Sequence, residues 1–179
     1  MFKVMVIFGT RPEAIKLAPV IKKLEENKRI NTIVTVTAQH RQMLDQVLGI
    51  FNIIPDYDLD LMRYDQNLTD ITARVLKAVG KALVDEKPHL ILIQGDTMTT
   101  FASFLATFYQ TIKIGHIEAG LRTNNKYQPF PEEINQRLIS DIADFHFGPT
   151  EWTKNNLLRE GKIGDVRDSI ADINATNVG

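Results

Sequence analysis

Residues 2–24 read FKVMVIFGTRPEAIKLAPVIKKL, and this stretch predicts a strand, a turn and a helix in succession. Phe2 to Phe8 is almost entirely apolar, which is typical of a strand buried on both faces of a parallel sheet. Thr10 and Glu13 have the spacing of a capping box, and Pro12 suits the first turn of a helix. The helix is expected to bury one apolar face, formed by Ile15, Ala18, Ile21 and Leu24.

The same alternation of short strands and amphipathic helices continues along the chain. Further strands are predicted at residues 32–37, 90–93, 113–117 and 145–147. Helices are predicted from Gln39 onward and at 67–86, 95–109, 131–143 and 150–161, with Met43 and Leu68 facing inward. This alternation indicates an α/β fold, a mostly parallel sheet with helices on both faces. The last stretch is weaker, although four apolar residues have helical spacing: Ile163, Val166, Ile170 and Ile173.

Composition excludes several classes of protein. The chain has 179 residues, of which 44% are hydrophobic and 24% charged, and this balance is typical of one globular domain. Its formal net charge of −1 provides no basic field for nucleic acid or an anionic membrane. The longest uncharged stretch, residues 97–112, is shorter than the roughly 20 apolar residues of a membrane span. With no cysteine and no signal-peptide pattern at the start, we expect a cytoplasmic protein.

Polar residues follow four of the predicted strands. The strand ends read Gly9-Thr10-Arg11, Gln39-His40-Arg41, Gln94-Gly95-Asp96 and HIEAGLR at residues 116–122. Because parallel strands point their carboxyl ends to one edge of the sheet, these groups are expected to gather there. The sequence therefore predicts a ligand site at that edge, with arginines, histidines and carboxylates.

Each of these residues has two interpretations. The Gly9–Arg11 turn is either a phosphate site or a capped helix with a surface arginine, and it lacks the dinucleotide and Walker fingerprints. NAD binding and ATP hydrolysis are therefore disfavoured. Asp96 is either functional or a helix N-cap. Glu118 follows a buried strand, where a cap is unusual, which favours function. Glu132 and Glu133 are either functional or acids placed at a helix N-terminus.

The four histidines divide in the same way. His40 and His116 are either acid–base groups or hydrogen-bonded residues around the site, whereas His89 and His146 stand at strand starts and are expected to be structural. No spacing of histidine and acidic residues resembles a metal site, and no G-x-S-x-G motif is present. We therefore expect neither a metal nor a serine nucleophile.

Five blocks of sequence together resemble the non-hydrolysing UDP-N-acetylglucosamine 2-epimerases. They are FGTRPEAIKLAPVI (8–21), TAQHRQMLDQVL (37–48), QGDTMTTFAS (94–103), GHIEAGLRTNNKYQPFPEEINQRLIS (115–140) and HFGPTEWTKNNLLREG (146–161). The resemblance implies a GT-B-like protein with two Rossmann-like domains and a site in the cleft between them. On this basis residues 1–161 are expected to form the N-terminal domain and 162–179 an atypical tail.

The resemblance also implies a reaction and roles for individual residues. The family converts UDP-GlcNAc to UDP-ManNAc by eliminating UDP, protonating the other face of C2 and adding UDP back. By motif, the catalytic carboxylates are Asp96, Glu118 and Glu132, and the phosphate-side cations are Arg11 and Lys16. A possible activator site for a second UDP-GlcNAc comprises Gln39, His40, Arg41 and Gln42. No cofactor is implied.

The family chain is about twice as long as this one, which leaves open what this chain does on its own. The chain is expected to bind UDP-GlcNAc or UDP and to be inactive alone. Its expected partner is a second copy of itself or a separate C-terminal half. Binding to nucleic acid or to a membrane is not expected. The alternatives are a non-catalytic nucleotide-sugar-binding remnant, one half of a split epimerase, and a relative of the hydrolysing epimerases.

Overall fold

Parallel strands and covering helices make up the computed structural model, which describes residues 1–38, 41–61, 63, 65–162 and 164–168. The strands are β1 (Phe2–Phe8), β2 (Ile30–Val36), β3 (Tyr57–Asp58), β4 (Leu90–Gln94), β5 (Lys113–Ile117), β6 (Phe145–Gly148) and β7 (Asp165–Asp168). The helices are α1 (Arg11–Glu25), α2 (Arg41–Phe51), α3 (Leu68–Glu86), α4 (Met98–Tyr109), α5 (Glu132–Ile142) and α6 (Glu151–Arg159). The predicted α/β alternation is confirmed.

All the described strands belong to one parallel sheet in the order β3-β2-β1-β4-β5-β6-β7. From β1 to β3, successive strands lie nearer to one edge of the sheet. The chain then returns to the other side of β1, and from β4 to β7 successive strands lie nearer to the opposite edge. Since β1 pairs with both β2 and β4, the strand order reverses between β1 and β4. A crevice at the carboxyl ends of the two strands flanking such a reversal is where open α/β sheets bind ligands.

The core lies on both faces of the sheet because successive side chains of β1 point to opposite sides. Val4, Val6 and Phe8 pack with the apolar residues of α1 and α2. Met5 and Ile7 pack with those of α3, α4 and α5 on the other face. The two-sided covering that the sequence predicted is therefore confirmed.

Two helix faces are rotated from the prediction. Ile15 and Met43, both expected to point inward, are 46% and 43% exposed. The buried stripe of α1 is formed instead by Ala14, Leu17, Ala18 and Ile21, and that of α2 by Leu44, Val47 and Leu48. Each stripe has the i, i+3, i+4 spacing of one helix face, and the two exposed residues lie beside it. Leu68, at the start of α3, is also exposed.

Two strands were not predicted. β3 is only two residues long, too short to give a pattern of alternation. β7 continues the sheet beside β6 in a region whose apolar spacing favoured a helix, and Val166 lies within it. Ile163 and residues 169–179 lie outside the described residues, and the division into 1–161 and 162–179 stays a prediction. Within the described residues, no helix combines the length and apolar character needed to cross a membrane.

Candidate active site

Four chain segments meet at the carboxyl edge of the sheet, beside the reversal in strand order. The turns after β1 and β4 contribute the stretches around Arg11 and Asp96, and the residue after β5 is Glu118. Helix α5 brings Glu132 at its first position. The charges of Glu132 and Glu118 both act on Asp96. The three carboxylates that the sequence singled out are therefore neighbours in the fold.

Asp96 is not the cap of α4. Thr97 holds that position, with its side-chain oxygen accepting a hydrogen bond from the backbone N–H of Thr100 at 3.2 Å. The Asp96 carbonyl accepts instead from Asn135 Nδ2 of α5 at 2.7 Å. The capping interpretation of Asp96 is therefore wrong, which leaves the functional interpretation of its carboxylate.

The surroundings of Asp96 raise its pKa from 3.8 to about 6. Burial is the largest cause, because it disfavours the charged form. The nearby amide of Gln136 lowers the pKa and so opposes this shift, while the negative charges of Glu132, Glu118 and Glu13 add to it. A carboxyl group with such a pKa exchanges a proton near neutral pH, as a general acid or base must.

Glu118 is held by three polar side chains. Its carboxylate oxygens accept from Lys16 Nζ at 2.8 and 2.6 Å, and one of them also accepts from Gln94 Nε2. Its backbone carbonyl accepts from Gln136 Nε2 at 3.2 Å, and its φ of 67° lies in the left-handed region that side chains disfavour. Surrounding contacts must therefore enforce this backbone position, a pattern found often at functional sites.

Glu13 joins the two turns that flank the strand reversal. Its buried carboxylate accepts from the backbone N–H groups of Gly9 at 2.7 Å and Thr10 at 2.9 Å, so the predicted capping box is present. It also accepts from the hydroxyls of Thr97 at 3.1 Å and Thr100 at 3.4 Å, at the start of α4. The sequence identified only the local half of this role, since nothing in its pattern pairs residue 13 with α4.

The two predicted phosphate-side cations differ in their surroundings. Arg11 is exposed at the first position of α1 and has no hydrogen-bond or ion-pair partner within the described part of the chain. Lys16, one turn later, is paired with Glu118. The free guanidinium lies at a helix N-terminus, whose N–H groups and dipole favour an anion. Phosphate binding at these residues stays a prediction.

The predicted activator site consists of consecutive residues, Gln39, His40, Arg41 and Gln42. The first two lie outside the described residues, and Gln42 is exposed on α2. Arg41 contacts two acids, Asp45 Oδ2 at 3.1 Å and Asp58 Oδ2 at 2.5 Å. The hydrogen bond to Asp58, more than that to Asp45, raises the pKa of Arg41. An anionic ligand at Arg41 has to compete with these acids.

The adjacent acids at the start of α5 have different roles. Glu133 is buried and accepts from the backbone N–H of Thr123 at 2.8 Å and from Arg137 Nε at 2.9 Å. Burial alone would raise the pKa of Glu133, but these hydrogen bonds outweigh it and lower the pKa. Glu132 is half-buried and has no such partner among the described residues. Glu133 therefore fixes the loop before α5, and Glu132 is the available carboxylate.

A buried arginine anchors the same loop to α6. Arg122 forms a two-pronged ion pair with Glu160, from Nε and from Nη2, each at 2.8 Å. Arg122 is the largest cause of the lowered pKa of Glu160. A third contact joins Arg122 Nη2 to Ser140 Oγ at 3.1 Å. The loop that carries Glu118 is thus tied at residue 122 as well as at residue 123.

Two of the described histidines, His116 and His89, bond to backbone groups at the ends of strands. His116 is fully buried, and its Nε2 lies 2.8 Å from the carbonyl oxygen of Gly95. Burial lowers the pKa of His116 to about 3, so the ring is neutral and donates this bond. The bond holds the turn that carries Asp96. This favours the interpretation of His116 as a hydrogen-bonded residue around the site over that of an acid–base group. His89 Nδ1 accepts from the backbone N–H of Lys3 at 3.0 Å, as its structural interpretation requires.

The described residues hold no cluster of three potential metal ligands.

Comparison with known proteins identifies relatives along most of the chain. A family model described as UDP-N-acetylglucosamine 2-epimerase matches residues 22–176. The UDP-N-acetylglucosamine 2-epimerases of Bacillus subtilis and Neisseria meningitidis are 55% and 56% identical over 163 residues, 91% of this chain. Those residues are only 43% and 44% of the two relatives. The chain thus spans less than half the length of these curated relatives.

Solved structures show the same relationship. The Neisseria meningitidis UDP-GlcNAc 2-epimerase bound to UDP-GlcNAc superposes with a TM-score of 0.89 at 51% identity, covering 96% of this chain and 47% of that one. The Methanocaldococcus jannaschii UDP-GlcNAc 2-epimerase in complex with UDP-GlcNAc and UDP gives 0.85 at 37% identity, covering 99% and 49%. Both similarities extend over one half of a longer protein.

Proposed function

The chain belongs to the UDP-N-acetylglucosamine 2-epimerase family, and we propose that it supplies the carboxylate-bearing half of an active site that interconverts UDP-GlcNAc and UDP-ManNAc. The observation that carries this proposal is the pair formed by Asp96 and Glu118, which follow the carboxyl ends of the neighbouring strands β4 and β5. Asp96 is half-buried among acids with a pKa raised to about 6, while Glu118 is paired with Lys16. Two carboxylates in such different surroundings suit an acid and a base that act in one reaction.

The chemistry explains why several acids are required. The C2 proton of the sugar is not acidic, because no carbonyl stands beside it. Elimination of UDP gives an enol ether, 2-acetamidoglucal, whose C2 then accepts a proton on the opposite face before UDP adds back. One base and one acid must therefore face C2 from two sides. We assign these roles to the set Asp96, Glu118 and Glu132.

The departing diphosphate needs positive charge and N–H donors. We assign Arg11 and Lys16 to this task. Arg11 is free and sits at the N-terminus of α1, where the helix dipole adds to its charge. Lys16 contacts Glu118 and so links the anion site to a catalytic carboxylate.

A second UDP-GlcNAc is proposed to bind as an activator near the start of α2, where Arg41 and Gln42 follow Gln39 and His40 along the chain. Arg41 is already oriented by Asp45 and Asp58. An activator would therefore act in part by exchanging these contacts, which makes its binding sensitive to salt.

The chain alone is proposed not to turn over substrate, since it spans less than half the length of its relatives. A cleft closed by a second domain excludes water and orients the leaving group, and orientation alone is worth roughly 7–11 kcal/mol of barrier. The proposed partners are a second copy or a separate C-terminal half, and the cytoplasm is the proposed compartment. The same coverage favours a second candidate, a nucleotide-sugar-binding protein without activity of its own.

The test is incubation of UDP-GlcNAc with the 179-residue chain, alone and fused to the part of the Bacillus subtilis relative that the chain does not match. We expect no product from the chain, none from the added part alone, and UDP-ManNAc from the fusion. Free ManNAc together with UDP would indicate a hydrolysing enzyme instead. A folded fusion that binds UDP without forming either product would support the non-catalytic candidate.

A further inference from the structure

Glu13 places a buried negative charge between two turns of the candidate site. It lies in the first turn of α1 and is 3% exposed. Its Oε2 accepts from the backbone N–H groups of Gly9 at 2.7 Å and Thr10 at 2.9 Å, in the turn after β1. Its Oε1 accepts from the hydroxyl of Thr97 at 3.1 Å, in the turn after β4. Each oxygen of one carboxylate thus bonds to a different turn.

Local helix capping accounts for only one of these two oxygens. A glutamine completes a capping box as well as a glutamate does, and it brings no charge whose burial costs free energy. The other oxygen bonds to Thr97, whose Oγ1 also accepts from the N–H of Thr100 at 3.2 Å and so caps α4. The Thr97 hydroxyl has a single hydrogen, and its two nearby acceptors are the charged Glu13 and the neutral Thr100 hydroxyl. The charged acceptor forms the stronger bond, so this hydrogen goes to Glu13.

Close packing holds the same two turns together. A Cβ at Gly9 would come within 3.3 Å of the methyl group of Thr99, in the first turn of α4. It would also meet Thr37 Oγ1, just after β2, at 2.2 Å, so a side chain at residue 9 does not fit. The turn after β1 is therefore packed directly against α4, and Glu13 adds hydrogen bonds to this contact.

We propose that Glu13 is a positioning residue, which fixes the turn carrying Asp96 relative to the turn carrying Arg11. The link runs through the hydroxyl of Thr97, the residue after Asp96. The proposal rests on the proposed function, because it joins the acid side and the anion side of the same site. Glu13 is buried with both oxygens engaged, so it acts through its neighbours and not on the substrate. Elimination needs the diphosphate and the C2 proton in one geometry, and a displacement of about 1 Å can cost on the order of 100-fold in rate.

The contact is tested in the full 179-residue chain by urea unfolding of Glu13→Gln, Thr97→Val and the double variant. Glu13→Gln keeps an oxygen for the cap of α1, and Thr97→Val removes the hydroxyl without changing the charge. Because both variants remove one bond, the double variant should raise the unfolding equilibrium constant at least about fivefold less than the product of the two single effects. Effects that simply multiply would overturn the proposal.

The positioning role is tested by kinetics of the active fusion. Glu13→Gln and Thr97→Val should each lower kcat at least about tenfold and change KM less than about threefold, since Arg11 remains available to the diphosphate. The double variant should be no slower than the slower single variant, because both break the same link. Thr97→Ser keeps the hydroxyl and should retain most of the turnover. If Glu13→Gln does not fold, the comparison of Thr97→Val with Thr97→Ser replaces it.

Two controls separate position from stability. Glu86→Gln alters a carboxylate that accepts from Lys3 near the amino edge of the sheet, and Asn67→Ala removes the cap of α3. Both should lower the melting temperature and leave kcat unchanged. Unchanged kcat in folded Glu13→Gln or Thr97→Val, or an equal fall of kcat in the controls, would overturn the proposal. A coupled unfolding cycle together with an inactive unmodified fusion would refute the proposed function and leave the link between the two turns established.

Discussion

Replacing Asp96 with asparagine is expected to stabilise the chain at neutral pH, although it removes a proposed catalytic group. The pKa of Asp96 is raised from 3.8 to about 6, first by burial and then by Glu132, Glu118 and Glu13. Between these two values the folded chain binds more protons at Asp96 than the unfolded chain does. The free energy of unfolding therefore falls as pH rises through this window, and the ionised carboxylate destabilises the fold above it.

The size of the effect follows from the shift. A difference of about two pH units corresponds to at most about 3 kcal/mol, and solvent reaching the half-buried carboxylate reduces this to about 1–2 kcal/mol. Asparagine has almost the same shape and carries no charge, so its burial avoids the cost of desolvating an ionised group. For a domain of this size, the gain corresponds to an increase in melting temperature of roughly 2–8 °C.

Thermal unfolding of the chain and of Asp96→Asn, followed by circular dichroism from about pH 4 to about pH 8, measures this difference. The two melting temperatures should differ least at the acidic end and most above pH 6. Asp85→Asn, an exposed substitution on α3, is the matched control and should show no such growth with pH. A difference that stays constant with pH, or an Asp96→Asn variant that is less stable at about pH 8, would refute the reasoning.

Three other substitutions test separate parts of the site. In the active fusion, Glu118→Gln should keep the fold and lose at least ~100-fold in UDP-ManNAc formation, the usual scale for an acid or base, and near-normal turnover would remove Glu118 from the mechanism. Arg11→Ala should weaken UDP binding, measured by NMR titration, more than it lowers stability, and Arg11→Lys should restore only part because a point charge cannot form a bidentate fork. Unchanged UDP affinity in Arg11→Ala would exclude it from the anion site. Arg122→Ala should lower the free energy of urea unfolding by about 3 kcal/mol or more, since it leaves Glu160 without its buried partner, and a loss below about 1 kcal/mol would contradict that anchoring role.

The parts of the fold that depend on local sequence could be predicted. The run from Phe2 to Phe8 is apolar enough to indicate a buried strand, and β1 has those bounds. Thr10 and Glu13 lie three residues apart, so their capping box is visible without the fold. The short strand β3 gave no signal because two residues cannot show a period, and β7 joins the sheet through pairing with β6 rather than through its own pattern.

The sequence predicted which segments of the candidate site come together, but not the contacts among their residues. Parallel strands bring their carboxyl ends together, so Asp96 and Glu118 were expected to be close. Thr97 caps α4, and the neighbouring Asp96 is held through its carbonyl by Asn135, which comes from a distant helix. The second role of Glu13, toward Thr97, likewise depends on the β1–β4 pairing. Contacts of this kind follow from the packing of the elements, and no periodicity in the chain encodes them.

The most direct measurement is the reaction of UDP-GlcNAc in D₂O, catalysed by the chain fused to the unmatched part of the Bacillus subtilis relative. If the carboxylates of this chain remove and return the C2 proton through elimination, the UDP-ManNAc formed must carry one solvent deuterium at C2. Asp96→Asn and Glu118→Gln should each suppress that incorporation together with product formation. UDP-ManNAc that retains its original C2 hydrogen, or incorporation at the normal rate in both variants, would contradict the assignment of this chemistry to the edge of this sheet.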